Sequence, residues 1–92
     1  MKILVFYRPN SEHERKVDEY LHDLVRMHDI REQDIKLMDA NSRSGSTDAS
    51  LYDILSFPGF VVTDDYGRYV KGWSGDLPLM DELMSYVFSL SQ

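Results

Sequence analysis

Five consecutive apolar or aromatic residues, Ile3 to Tyr7, stand near the start of the chain and stop at Arg8-Pro9-Asn10. A run this short and unbroken by polar positions predicts a strand buried on both faces. Beyond the break the period changes. Val17, Tyr20, Leu21, Leu24 and Val25 recur at helical spacing, while Arg15, Lys16, Asp18, Glu19 and Asp23 fill the opposite face. Ser11 precedes Glu14 by three residues, the spacing at which a hydroxyl and a carboxylate satisfy the orphan amides of a helix start. An amphipathic helix is therefore expected from Ser11 to about His28.

After polar Arg31 to Asp34, the segment Ile35 to Met38 reads as a second strand. Strand, helix, strand in that order favours a parallel pair joined by a right-handed crossover. The Ser, Arg and Gly content of Asn41 to Thr47 predicts a loop, the most mobile internal segment. Asp48 then caps a short helix carrying Leu51, Ile54 and Leu55, which Phe57-Pro58-Gly59 breaks. Phe60 to Thr63 and Tyr69 to Trp73 flank Asp64-Asp65-Tyr66-Gly67, with Gly67 where a hairpin needs a positive φ. Alternation puts Tyr69 and Trp73 on one face of that hairpin and Val70 on the other. Asp76 is the expected cap of a last helix, Pro78 fits its first turn, and Leu79, Met80, Leu83, Met84, Val87 and Phe88 form its apolar stripe. The order is βαβαββα, an α/β domain with a mixed four-stranded sheet flanked by helices. No repeat or linker divides it, so residues 1–92 are expected to form one domain.

Composition narrows the chemistry. The chain has no cysteine, which excludes disulfides, thiolate nucleophiles, Cys-ligated zinc and Cys-held iron–sulfur clusters. A net charge of -6 repels nucleic acid and anionic lipid surfaces, so neither is an expected partner. No segment approaches the ~20 apolar residues that span a bilayer. The apolar run after Met1-Lys2 stops at Arg8-Pro9 with no cleavage site following, and the cytoplasm is the expected location.

Ser11 and His13 invite a nucleophile–base reading, but two residues apart on a helix they point different ways, and a helix-end field cannot ionise a hydroxyl near neutral pH. Ser11 is read as a cap, and no catalytic residue is assigned. Glu12, His13, Glu14, His22 and His28 include no pair of histidines at the i, i+4 spacing of a helical metal site. They read as solvated surface groups, with no metal or cofactor expected.

Two segments resemble the thioredoxin superfamily, specifically its glutaredoxin-like core. YDILSFPGFVV, Tyr52 to Val62, resembles the stretch in which that family ends a helix, passes a cis-proline and enters a core strand; Tyr52, Ile54 and Pro58 hold matching places. Gly67 and Gly75 keep the family's downstream spacing. YRPNSEHE, Tyr7 to Glu14, looks like the junction that carries the family's Cys-x-x-Cys motif, but its four positions read Ser11-Glu12-His13-Glu14. The resemblance implies a thioredoxin-like fold without redox chemistry, a cis Phe57-Pro58 bond, and a surface beside that proline able to pair with an extended peptide. On that basis the candidate binding residues are Arg8, Asn10, Ser11, His13, Phe57, Pro58, Trp73, Gly75 and Asp76. Asp76 also reads as a plain helix cap, and Trp73 as a residue closing the core. The expected function is non-catalytic binding of a protein or extended peptide. A degenerate glutaredoxin that binds glutathione or another small thiol, and a regulatory protein similar to the KaiB family of circadian clock proteins, are the alternatives.

Overall fold

Ile3 and Val5 point to one side of their strand and Phe6 to the other, and all three are fully buried. Only a strand inside a sheet covered on both faces meets that condition. A computed structural model, which describes residues 1–90, puts β1 (Lys2–Tyr7) in the middle of the order β2-β1-β3-β4. β2 (Ile35–Asp39) runs parallel to it, while β3 (Gly59–Thr63) pairs antiparallel with both β1 and β4 (Tyr69–Ser74). The domain assignment's last two positions lie outside the described residues.

Two helices cover one face. α1 (Glu14–Met27) contributes buried Val17 and Leu24, and α3 (Met80–Leu90) contributes Leu83 and Val87, against Ile3, Val5, Phe60 and Val62. α2 (Arg43–Leu51) covers the other face, where Phe6, Met38, Ala49, Ile54 and Val61 meet. The fold is thus the expected βαβαββα arrangement, with a short 3-10 turn, Glu32–Asp34, leading into β2.

Several local expectations are corrected. α1 begins at Glu14, with His13 and not Ser11 at its cap position, and no side chain caps it. The Glu14 carboxylate still reaches back, accepting the Asn10 N–H at 2.6 Å. Asn41 to Thr47 is not a mobile loop, because α2 starts within it. Ser42 is the cap, its hydroxyl accepting the Gly45 N–H at 3.0 Å, while Asp48 lies inside the helix. α2 also ends earlier than Phe57-Pro58-Gly59. Asp53 turns left-handed at φ 60°, Asp53 N–H donates to the Ser50 carbonyl and Ile54 N–H to that of Ala49. That pair of bonds closes a helix C-terminus and buries the apolar residue that follows, here Ile54. Leu51 and Leu55 are left exposed.

The hairpin contains a bulge. Thr63 pairs with Tyr69 and Val62 with Lys71, so Val70 is the extra residue. An inserted residue reverses the alternation beyond it. Tyr69 consequently stacks on Tyr52 on the α2 side, whereas Trp73 and Val70 pack with the α1 and α3 core, contrary to the expected shared face of Tyr69 and Trp73. At the last helix, the Asp76 carboxylate accepts, among the described residues, only the neighbouring Leu77 N–H, and Pro78 precedes the helix instead of occupying its first turn. Leu79 and Phe88 are exposed, so the buried stripe of α3 is narrower than expected.

Candidate binding cleft beside Phe57

The C-terminal end of β1 delivers Arg8 to a loop that folds back on itself. Ser11 donates both its N–H and its hydroxyl to the Arg8 carbonyl, and the Arg8 N–H donates to His13 Nε2 at 3.1 Å. These contacts hold Arg8 from both sides. Its guanidinium carbon sits 5.1 Å from the centre of the Phe57 ring, a cation–π contact that ties the α1 start to the loop before β3.

Ser74 and Gly75, at the end of β4, position that second loop. The amides of Leu55 and Ser56 both donate to Ser74 Oγ, at 3.2 and 3.1 Å. The Gly75 N–H is shared between the carbonyls of Ser56 at 3.2 Å and Pro58 at 3.0 Å. Gly75 has φ 91°, and a Cβ there would approach the Ser56 Cβ to 3.2 Å, so a side chain is excluded by conformation and by space. The Phe57-Pro58 bond is cis and Pro58 is buried. The Leu55 and Ser56 amides and the Ser56 and Pro58 carbonyls are thus engaged, yet the Phe57 N–H and C=O have no hydrogen-bond partner among the described residues.

The two loops enclose a cleft of about 370 Å³ lined by Arg8, Ser11, His13, Leu55, Ser56 and Phe57. Four of the nine sequence-predicted residues therefore meet around one space. Asn10 stands behind it with φ 62°, its amide held by Glu14. Gly75 anchors the floor without lining it, and Asp76 is turned to Leu77. Trp73 does not reach the cleft. Its indole N–H donates to Glu82 at 3.0 Å and its ring meets Tyr86 edge-on, 5.8 Å between centres, so it closes the seam between β4 and α3. Leu55 and Ser56 are lining residues the sequence reading missed, since Leu55 was placed on a helix that ends four residues before it.

The Ser11 hydroxyl and His13 Nε2 both engage the backbone of Arg8 and not each other, so no nucleophile–base pair forms. Among the described residues no three His, Asp or Glu side chains gather so as to hold a metal ion. Beneath α1, Tyr20 packs edge-on against Phe60 at 5.1 Å. Burial, and secondarily the charge of Glu82, pushes the Tyr20 hydroxyl far above its ordinary range, which keeps it neutral.

No family model and no curated protein matches this chain. Among solved structures, it is similar to thioredoxin 1 from Thermosipho africanus TCF52B, with a TM-score of 0.69 and 15% identity over 97% of this chain and 92% of that one. It is also similar to a designed protein, with a TM-score of 0.64 and 22% identity over 99% of this chain and 76% of that one. At these identities the likeness concerns the fold. The fold is thioredoxin-like, and a chain of that fold without cysteine has no group with which to form a mixed disulfide.

Proposed function

We propose that this protein is a non-catalytic thioredoxin-like module that binds an extended peptide segment of a partner protein in the cleft beside Phe57. One observation carries the reading: beside a cleft, Phe57 presents an N–H and a C=O that are unpaired among the described residues. Backbone groups in that state are the elements with which a strand is added to a folded domain. The Arg8 guanidinium, half committed to the Phe57 ring, supplies a cation for a carboxylate of the bound segment. Neither interaction uses a thiol. The proposed setting is the cytoplasm, where a chain with no disulfide to form loses nothing to the reducing conditions.

The test is selection of peptides from a random displayed library on the full-length chain, followed by NMR of the backbone amides of the labelled protein as each chosen peptide is added. Shifts centred on Leu55, Ser56 and Phe57, abolished by Arg8→Glu, are the expected result. Selected peptides whose shifts lie elsewhere would remove the proposal. Glutathione, titrated in parallel, is the short-peptide limit of the same interaction, and shifts at these amides with glutathione alone would reassign the cleft to a small thiol.

A further inference from the structure

The opposite edge of the sheet is open. Ala40 N–H donates to the Tyr7 carbonyl at 2.8 Å, so strand alternation turns the backbone groups of Lys36 and Met38 towards β1 and those of Ile35, Leu37 and Asp39 away from the sheet. Not all of the outward groups are free. The Ile35 N–H is engaged by the Glu32 carbonyl, and the Asp39 carbonyl accepts from the Ser42 amide at 3.0 Å and the Ser42 hydroxyl at 2.7 Å. What remains without a partner among the described residues is the Ile35 carbonyl, both groups of Leu37, and the Asp39 N–H.

We infer that this edge joins a second copy of the chain, β2 pairing antiparallel with β2 about a two-fold axis through Leu37. In that register Leu37 faces its symmetry mate and the two exchange both backbone hydrogen bonds. Ile35 faces Asp39 of the other copy, and the free Asp39 N–H meets the free Ile35 carbonyl. The two groups already engaged, Ile35 N–H and Asp39 carbonyl, fall opposite each other, so the pairing leaves no newly exposed group without a partner. A two-fold at Lys36 would set two ammonium groups face to face. With the axis at Leu37, Lys36 lies opposite Met38.

The helix above the edge has the same centre of symmetry. A groove of about 500 Å³ between α1 and β2 is floored by Leu21, Val25, Ile35 and Leu37, and Leu37 is half exposed. Along its rim Asp18, His22 and Arg26 stand at successive four-residue steps of α1. α1 runs antiparallel to β2, and rises of ~1.5 Å per helical residue and ~3.3 Å per strand residue keep His22 level with Leu37 if Arg26 is level with Ile35. With Arg26 set level with Ile35, whose groove it lines, the same axis brings Asp18 of each copy to Arg26 of the other. The stripe is self-complementary in charge as the strand is in hydrogen bonding, a property an interface between identical copies requires. The Arg26 guanidinium lies 3.4 Å from His22 of its own helix and makes no ion pair with a carboxylate among the described residues, so it is available to Asp18 of the mate.

The occupant is thus a second copy, and the interface extends two four-stranded sheets into one of eight. Sedimentation equilibrium of the full chain from roughly 10 µM to 1 mM tests it, a range in which a modest edge interface is populated. A monomer–dimer equilibrium is expected, with amide exchange at Leu37 and Asp39 slowing as concentration rises. Asp18→Lys should weaken the dimer by about tenfold, because two attractive pairs become repulsive, and Asp18→Lys combined with Arg26→Asp should restore it. Leu37→Lys, at an exposed position, should leave a folded monomer. A monomer throughout, or a dimer indifferent to all three variants, would overturn the inference. This edge and the Phe57 cleft are read independently, so neither result bears on the other.

Discussion

Ser11 and Ser42 show how little a residue type reveals about its role until its neighbours are known. Both precede helices, but only Ser42 offers its oxygen to a helix amide, whereas Ser11 turns its hydroxyl to the Arg8 carbonyl. Ser42→Ala should accordingly cost on the order of 1 kcal/mol in urea unfolding. Ser11→Ala should stay within about 0.5 kcal/mol. Asp64 offers a residue-scale test by pH. Its carboxylate accepts the Arg68 and Tyr66 amides and the Arg68 guanidinium, at 2.8 to 2.9 Å, and those donors hold it below its ordinary value of 3.8, the Arg68 amide foremost. A lowered folded value means the hairpin is stabilised fully above the ordinary carboxylate range and loses that contribution as pH falls through the lowered value. Asp64→Asn should therefore be less stable than the wild type at neutral pH, and the gap measured by thermal unfolding should close on acidification below the ordinary value.

At the scale of elements, the second helix depends on one missing side chain. Gly45 stands in the first turn of α2, and a Cβ there would overlap the Asp39 carbonyl oxygen and lie 2.7 Å from the Asp39 carbonyl carbon. Backbone cannot yield as a flexible side chain can, so Gly45→Ala should destabilise despite the better helix propensity of alanine. The expected loss is about 2 kcal/mol or more by chemical denaturation; an increase in stability would show that α2 slides without penalty. The bulge at Val70 has the same element-scale character. It aims Tyr69 over Gly72, where a Cβ would meet the Tyr69 ring at 3.1 Å, and frees Trp73 to close on α3. Neither consequence follows from the residues of β4 considered alone.

For the whole molecule, the decisive statement is the match between fold and missing chemistry. The purified protein should show no reduction of insulin disulfides and no glutathione-dependent oxidoreductase turnover above a boiled control. Turnover above that control would demand a mechanism that the fold's thiol chemistry does not provide.

What the amino-acid order settles unaided is whatever depends on nearest periodicity. The apolar run of β1, the 3.6-residue stripe of α1, the Gly67 hairpin and the absence of cysteine each speak through residues a few positions apart, and from them the α/β order and the loss of redox chemistry were legible. The likeness of Tyr52 to Val62 to a thioredoxin segment added the position of Pro58, and Arg8, Ser11, His13 and Phe57 do share one cleft. Other features needed the third dimension. Ser11 lost the cap because α1 starts later, with His13 at the cap position, and the Ser11 hydroxyl donates to the Arg8 carbonyl. Arg43 to Thr47 became helical because β2 ends where Ser42 and Gly45 can dock on Asp39. Trp73 parted from the face of Tyr69 because an extra residue in β4 reversed the alternation between them. In each case two local choices differ by about 1 kcal/mol, a margin that contacts between residues distant in sequence readily override.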